Sequence, residues 1–143
     1  MIFACRILQP VDLPDFQQLH QDRNWVYQAS QLSAGPGKYY LGCFEREVLV
    51  GSVGFGRSPE PRADTGVLID LLVAEKYRKK GAGQCLVNKL IELLSTATNF
   101  RQLRLVTAVD NHGAINLYKK CGFVSLGSTE GDLEMVYEFS SFP

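Results

Sequence analysis

The chain has 143 residues, of which 45% are hydrophobic, 21% charged and 10% aromatic, the balance of an ordinary soluble globular domain. At this length folding removes roughly two thirds of the unfolded chain's surface from water, so one domain over residues 1–143 needs no disulfide or metal to hold a core. Fifteen Lys and Arg against fifteen Asp and Glu give a formal net charge of zero; this argues against a general nucleic-acid partner, whose duplex affinity rests on many phosphate contacts from a basic surface.

The longest apolar run is residues 1–5, far short of the roughly 18 that a membrane helix requires. Arg6 interrupts that start and Pro10 follows, so no secretory signal and no membrane partner are expected. Cys5, Cys43, Cys85 and Cys121 are scattered without a CxxC pair. They read as buried thiols of a reducing cytoplasm, although four cysteines are enough to pair. With His20 and His112 the only histidines, no closely spaced zinc motif exists and no metal is expected.

Strand and helix signals alternate from end to end. Residues 2–8 predict a strand, and Asp12 before Leu13, Pro14 and Asp15 predicts a capped helix start. Leu13, Phe16 and Leu19 give that helix an apolar side. Residues 22–37, with Trp25, Tyr27 and a closing Gly35-Pro36-Gly37, predict a short helix or folded loop; they suit a substrate-facing wall and core packing equally. Residues 38–44 and 48–55 predict a hairpin with a charged turn, and the two prolines of 58–64 a surface connection. Residues 67–73 are apolar except for Asp70, as in a strand buried on both faces.

Beyond a basic turn, Ala82, Leu86, Leu90, Leu93 and Ala97 form one helical stripe, opposite Gln84, Asn88, Glu92 and Ser95. Residues 103–109 predict a further strand. A second long helix from Gly113 carries Ala114, Leu117, Tyr118 and Cys121 at helical spacing and stops at Gly122. Residues 123–126 are followed by a last alternating strand over 133–139 with one wet face or edge.

Chemistry concentrates between residues 70 and 84. A helix N-terminus presents unpaired N–H groups and about half a positive charge, yet Arg78, Lys79 and Lys80 crowd that end. Gly81 and Gly83 allow N–H groups to converge on an anion and let a ligand approach closely. A phosphate-bearing ligand relieves the conflict; a solvated basic turn is the alternative. The run lacks the third glycine of a dinucleotide fingerprint and an acid about 20 residues on, and no GxxxxGK[ST] is present. Gly51, Gly54 and Gly56 fall inside a predicted strand, where they mark bulges or close packing.

Arg78-Lys79-Lys80-Gly81-Ala82-Gly83 resembles the acetyl-CoA signature of the GNAT family of N-acetyltransferases: Arg or Gln, two variable residues, Gly, one variable residue, and Gly or Ala. Residues 111–123 are similar to a second element of that family, with Asn111, Ala114, Asn116, Leu117, Tyr118, Gly122 and Phe123 in place. The resemblance runs from Ile2 to Phe139 in element order and is weakest over 22–37 and in the last twenty residues. It implies an α/β fold: a mixed, mostly antiparallel sheet of six or seven strands with helices on both faces.

The resemblance further implies that N–H groups from Lys79 to Gln84, Ala82 included, bind the CoA pyrophosphate. The strand edge at Leu71 and Val73 would pair with the pantetheine amides where this strand and the next splay apart, and Asn111 and Asn116 belong to the cofactor side. Val73 N–H would face the thioester carbonyl as an oxyanion donor. Tyr118 matches the tyrosine near the CoA sulfur; an ordinary phenol, pKa about 10, is protonated at neutral pH and can donate to a departing thiolate. Its alternative is core packing with the hydroxyl toward water.

The accepting amine must lose a proton before attack. Asp70, Glu75, His112 and His20 are candidate bases. Asp70 leads, because a carboxylate in an apolar strand is either raised in pKa or structurally paired; His112 reads as a surface cap. Cys85 and Cys121 face the core without a neighbouring His and are disfavoured as nucleophiles.

The expected activity is acetyl transfer from acetyl-CoA to a primary amine of a small molecule by direct attack in a ternary complex, in the cytoplasm. The alternatives are acetylation of a protein N-terminus or lysine, and a non-catalytic acyl-CoA-binding module. Glu130, Asp132, Glu134 and Glu138 suit either cationic acceptors or a solvated strand face. An exposed last strand is open to pairing as a homodimer.

Overall fold

Alternating apolar residues in seven short runs form one sheet in the order β1-β2-β3-β4-β5-β7-β6, in a computed structural model that describes residues 1–21, 38–58, 64–96 and 100–139. Strands β1 (Ala4–Ile7), β2 (Lys38–Glu45), β3 (Val48–Arg57) and β4 (Thr65–Val73) run antiparallel in turn. Helix α2 (Ala82–Thr96), after α1 (Leu13–Leu19), carries the chain across to β5 (Gln102–Ala108), which lies parallel to β4. Helix α3 (His112–Lys120) leads to β6 (Val124–Thr129), and β7 (Asp132–Glu138) inserts between β5 and β6. The expected mixed, mostly antiparallel sheet is therefore present with seven strands. No described helix is long and apolar enough to cross a membrane.

Strand alternation sends side chains to two layers. Leu41, Cys43, Val53 and Phe55 pack under α2 and α3 with Leu86, Leu90 and Ile115. Tyr40 and Leu49 pack with Leu8 and with Phe16 of α1 in a second cluster. Complete burial of a leucine such as Leu90 contributes about 2 kcal/mol, and its truncation to Ala costs about 2–5 kcal/mol. The β2–β3 turn uses Arg46 at φ 50° and Glu47 at φ 70°, the paired left-handed residues that a two-residue hairpin demands.

Several expectations shift. Asp12 does not cap α1 with its side chain. A 3-10 turn, Pro10–Asp12, precedes the helix, and the Asp12 carboxylate instead accepts two bonds from the Arg6 guanidinium, both 2.8 Å, and one from Gln9 N–H at 2.7 Å. Arg6 first, with help from the Gln9 N–H, holds the Asp12 carboxyl below its ordinary value. The α2 stripe is Ala82, Leu86, Val87, Leu90 and Leu94; Leu93 is only half-buried, and Ala97 lies outside the described residues. Within the last hairpin the exposed edge is β6, every residue of which faces solvent, whereas β7 buries Met135 and Val136 between its neighbours.

Candidate active site

Strands β4 and β5 pair at only three positions, Thr65 with Gln102, Gly66 with Leu103 and Val67 with Arg104. Among the described residues, beyond Val67 β4 keeps only β3 and β5 keeps only β7, so the two strands part and one edge of β4 has no strand partner among them. The sequence expectation of a strand buried on both faces is corrected accordingly: residues 69–73 are half-buried.

A bulge in β4 sets the geometry of that edge. The register passes from Gly54 opposite Ile69 to Ser52 opposite Leu72, so β4 carries one extra residue there. Asp70 stands at the bulge with φ 51°, a left-handed conformation that Asp tolerates better than most residues. The extra residue resets the alternation, and Leu71 and Val73 both turn toward the core beneath α2. Asp70 is thus half-buried at a bulge, not enclosed in a sheet, and it is not without a partner of its own.

Beyond the bulge, Ala74 N–H donates to Val50 O of β3 at 2.8 Å. Because neighbouring residues in a strand present their amides to opposite edges, the Val73 N–H points into the parting. The carbonyl of Val73 lies on the same side and accepts from Arg78 Nε at 2.9 Å.

The loop that follows is a 3-10 turn, Glu75–Tyr77, then Arg78, Lys79, Lys80 and Gly81, all exposed. Lys79 takes φ 61° and Gly81 φ 98°. Left-handed residues spaced in this way turn successive N–H groups inward, as in an anion-binding nest. The first α2 bond runs from Cys85 N–H to Gly81 O at 3.0 Å, so the N–H groups of Ala82, Gly83 and Gln84 have no acceptor within the helix. A Cβ built on Gly81 would meet nothing within 4 Å, which leaves open space for a ligand. A Cβ on Gly83 would lie 3.0 Å from Leu117 Cδ2 and 3.8 Å from Val73 Cγ2. Gly83 thus serves close packing of α2 on α3, and the end of β4, the start of α2 and α3 converge at one point.

In α3, Asn111 caps the helix: its Oδ1 accepts from Ala114 N–H at 3.4 Å. Asn111, His112 and Asn116 are exposed. Tyr118 is 6% exposed, and its ring lies 5.7 Å from that of Phe123. Burial first, and then Cys121, push its phenol up to about 12. Among the described residues no fully buried side-chain N or O lacks a hydrogen-bond partner.

A cleft of about 890 Å³ opens on the α1 side of Val73, with Asp15, His20, Glu47, Leu72 and Glu75 in its wall. His20 is 1% exposed and shares a 2.9 Å hydrogen bond with Ser52 Oγ. Glu47 was not legible as a site residue, because it reaches the cleft through the β2–β3 turn, far from the glycine loop in sequence. Glu130, Asp132, Glu134 and Glu138 belong instead to the β6–β7 hairpin beyond β5, where Glu134 pairs with Arg104 at 3.3 Å. The expected wall over residues 22–37 and most of the 58–64 connection lie outside the described residues.

Similar proteins share this arrangement of elements. A GNAT-family acetyltransferase structure from Streptococcus pneumoniae superposes with a TM-score of 0.80 at 18% identity, over 97% of this chain and 100% of that one. A spermidine N(1)-acetyltransferase of Vibrio cholerae is 33% identical over 57 residues, covering 40% of this chain and 33% of the relative. An L-amino acid N-acetyltransferase of Escherichia coli is 30% identical over 98 residues, covering 65% of this chain and 57% of the relative. The chain therefore spans between a third and somewhat over half of the length of these curated relatives. The family model described as "Acetyltransferase (GNAT) family" matches residues 5–123, and with the parted β4–β5 strands and the glycine loop in place the chain belongs to the GNAT acetyltransferase family.

Proposed function

We propose that the chain transfers the acetyl group of acetyl-CoA to a primary amine of a small molecule by direct attack in a ternary complex, in the reducing cytoplasm. The observation that carries this reading is the unpaired edge of β4: Val73 N–H points into the β4–β5 parting, beside an α2 start with free N–H groups. An anion bound by the N–H groups from Lys79 to Gln84, flanked by Arg78 and Lys80, removes the conflict between three cations and the helix dipole. From there a pantetheine chain reaches the β4 edge, where Leu71 and Val73 offer strand-like pairing, with Asn111 and Asn116 on the α3 side.

Each chemical demand then has a residue. Val73 N–H donates to the carbonyl oxygen as negative charge develops on it. Asp70 takes the proton that the amine must lose, and Tyr118 donates to the sulfur as the C–S bond breaks. With its phenol near 12, Tyr118 keeps its own proton across the working range, so its contribution is a strong hydrogen bond to the thiolate, with full transfer uphill against a thiol of ordinary pKa about 8.5. Asp15, Glu47 and Glu75 outnumber Lys76 and Arg78 in the cleft beside Val73, an acidic excess that favours a cationic acceptor. Relatives named for spermidine and L-amino acids support a small amine, while a relative named N-alpha-acetyltransferase, 36% identical over 58 residues, keeps a peptide N-terminus as the alternative acceptor.

An acceptor screen with acetyl-CoA, read by free-thiol release, tests the proposal: turnover with a polyamine or amino acid is expected. Turnover with peptide N-termini or lysines alone would replace the acceptor class. A thermal shift with acetyl-CoA but no turnover with any amine would leave a binding module.

A further inference from the structure

We propose that Cys5, Cys43 and Cys85 form a binding site for a thiophilic divalent cation, best fitted by Zn²⁺, with three thiolates at three corners of a tetrahedron and water at the fourth. Cys5 and Cys43 are directly opposed in the β1–β2 register, so both side chains leave the same face of the sheet, the one that α2 covers. Cys85 comes down from the first turn of α2. The three sulfurs all lie within 4.8 Å of one another, and Cys5 Sγ is 3.0 Å from Cys85 Sγ. Zinc–sulfur bonds of about 2.3 Å in a regular tetrahedron place the sulfurs about 3.8 Å apart, inside this spread.

The surroundings suit a cation. Cys43 is buried at the floor, while Cys5 and Cys85 are half-buried, which gives an entry path from solvent. Three thiolates and Zn²⁺ carry a net single negative charge, and the positive charge of Lys89, four residues along α2 from Cys85, acts on both Cys5 and Cys85. Soft sulfur donors select zinc or copper over magnesium and calcium. Binding forms three Zn–S bonds and releases the three thiol protons to water. Without an ion the thiols make weak S–H···S bonds; a neighbouring thiol and burial raise Cys5, and burial pushes Cys85 up to about 11, so neither is a ready nucleophile. An ion here ties β1 and β2 to the start of α2, one residue beyond Gln84.

The full chain, reduced with a non-thiol reductant and stripped with a chelator, is titrated with Co²⁺ and then Zn²⁺. One Co²⁺ per chain, with sulfur-to-cobalt charge-transfer bands that Zn²⁺ displaces, is expected, together with a melting temperature raised by Zn²⁺. Cys5→Ser and Cys85→Ser should each weaken binding by about 100-fold, and Cys121→Ser should keep it. Cys43→Ser alters the core, so its failure to fold leaves the other two variants to decide. Absence of the charge-transfer bands, their loss in Cys121→Ser, or a Cys5–Cys85 disulfide whose reduction yields a chain that binds no metal would each overturn the proposal.

Discussion

The Arg78 guanidinium donates through Nε to the main-chain oxygen of Val73 at 2.9 Å, tying the first residue of the glycine loop to the last residue of β4. The loop proposed to hold the anion and the edge proposed to hold the acyl chain are thereby tied to each other. Arg78→Ala should raise the KM for acetyl-CoA about 10-fold, the equivalent of about 1.4 kcal/mol. The bond is exposed, so the melting temperature should move by only about 2 °C. Arg78→Lys should not restore the KM, because a flexible ammonium does not reproduce the directed Nε–H. A clear fall in melting temperature with the KM for acetyl-CoA unchanged in Arg78→Ala would give the residue a purely structural role.

Gly81 and Gly83 separate binding from packing. Gly81 has φ 98° with open space beyond it, so Gly81→Val strains the loop by about 1–3 kcal/mol and covers the N–H groups of the nest. Acetyl-CoA affinity should fall by more than that loss of stability accounts for. Gly83→Val instead drives a branched side chain into Leu117, whose Cδ2 stands 3.0 Å from a bare Cβ; melting temperature and affinity should fall together, by the cost of overpacking, about 1–3 kcal/mol. Calorimetric titration beside thermal melts distinguishes the two patterns, and normal CoA binding in Gly81→Val would remove the loop as the phosphate site.

Short-range signals explain what was legible in the sequence. The order Arg78 to Gly83, the stop at Gly122 and the hairpin around Arg46 and Glu47 are local demands of backbone conformation, and one stretch of sequence carries each of them. The bulge at Asp70 is not local: it exists because β3 and β4 differ by one residue between two pairs of partners, and an apolar run with a single acid reads the same with or without it. The Cys5, Cys43 and Cys85 cluster is likewise invisible to spacing, since β1–β2 pairing and the docking of α2 bring together residues 80 apart in sequence. Asp12 misled for a different reason. Arg6 and Gln9 N–H competed for its carboxylate, and a bidentate charged partner outweighs one helix N–H.

Asp70 is tested through the conformation it adopts. With φ 51°, both Asn and Gly fit the position, Gly without steric cost. Asp70→Asn and Asp70→Gly therefore both keep the backbone conformation, and any fall in melting temperature measures the contacts that the carboxylate itself makes. If the carboxylate accepts the amine proton, kcat/KM falls by about 10²–10³ in both variants. Retention of full activity in either variant would leave Asp70 as a residue that shapes the bulge and nothing more.

Tyr118 offers two independent readouts. Tyr118→Phe keeps the ring against Phe123 and removes the hydroxyl, so kcat should fall by about 10²–10³, the loss of one hydrogen bond to the developing thiolate, with little change in acetyl-CoA affinity. The second readout is stability at high pH. Burial raises the phenol from its ordinary 10 to about 12, so the folded state holds this proton more tightly than the unfolded state. Stability from this source is complete below pH 10, and it declines between pH 10 and 12 as the unfolded chain ionises first, by up to about 3 kcal/mol. In Tyr118→Phe that part of the alkaline decline should vanish, and chemical denaturation at pH 9 and pH 11 measures the difference. A variant that loses the alkaline decline yet turns over acetyl-CoA at the parental rate would confine Tyr118 to the core and hand the departing thiolate to solvent.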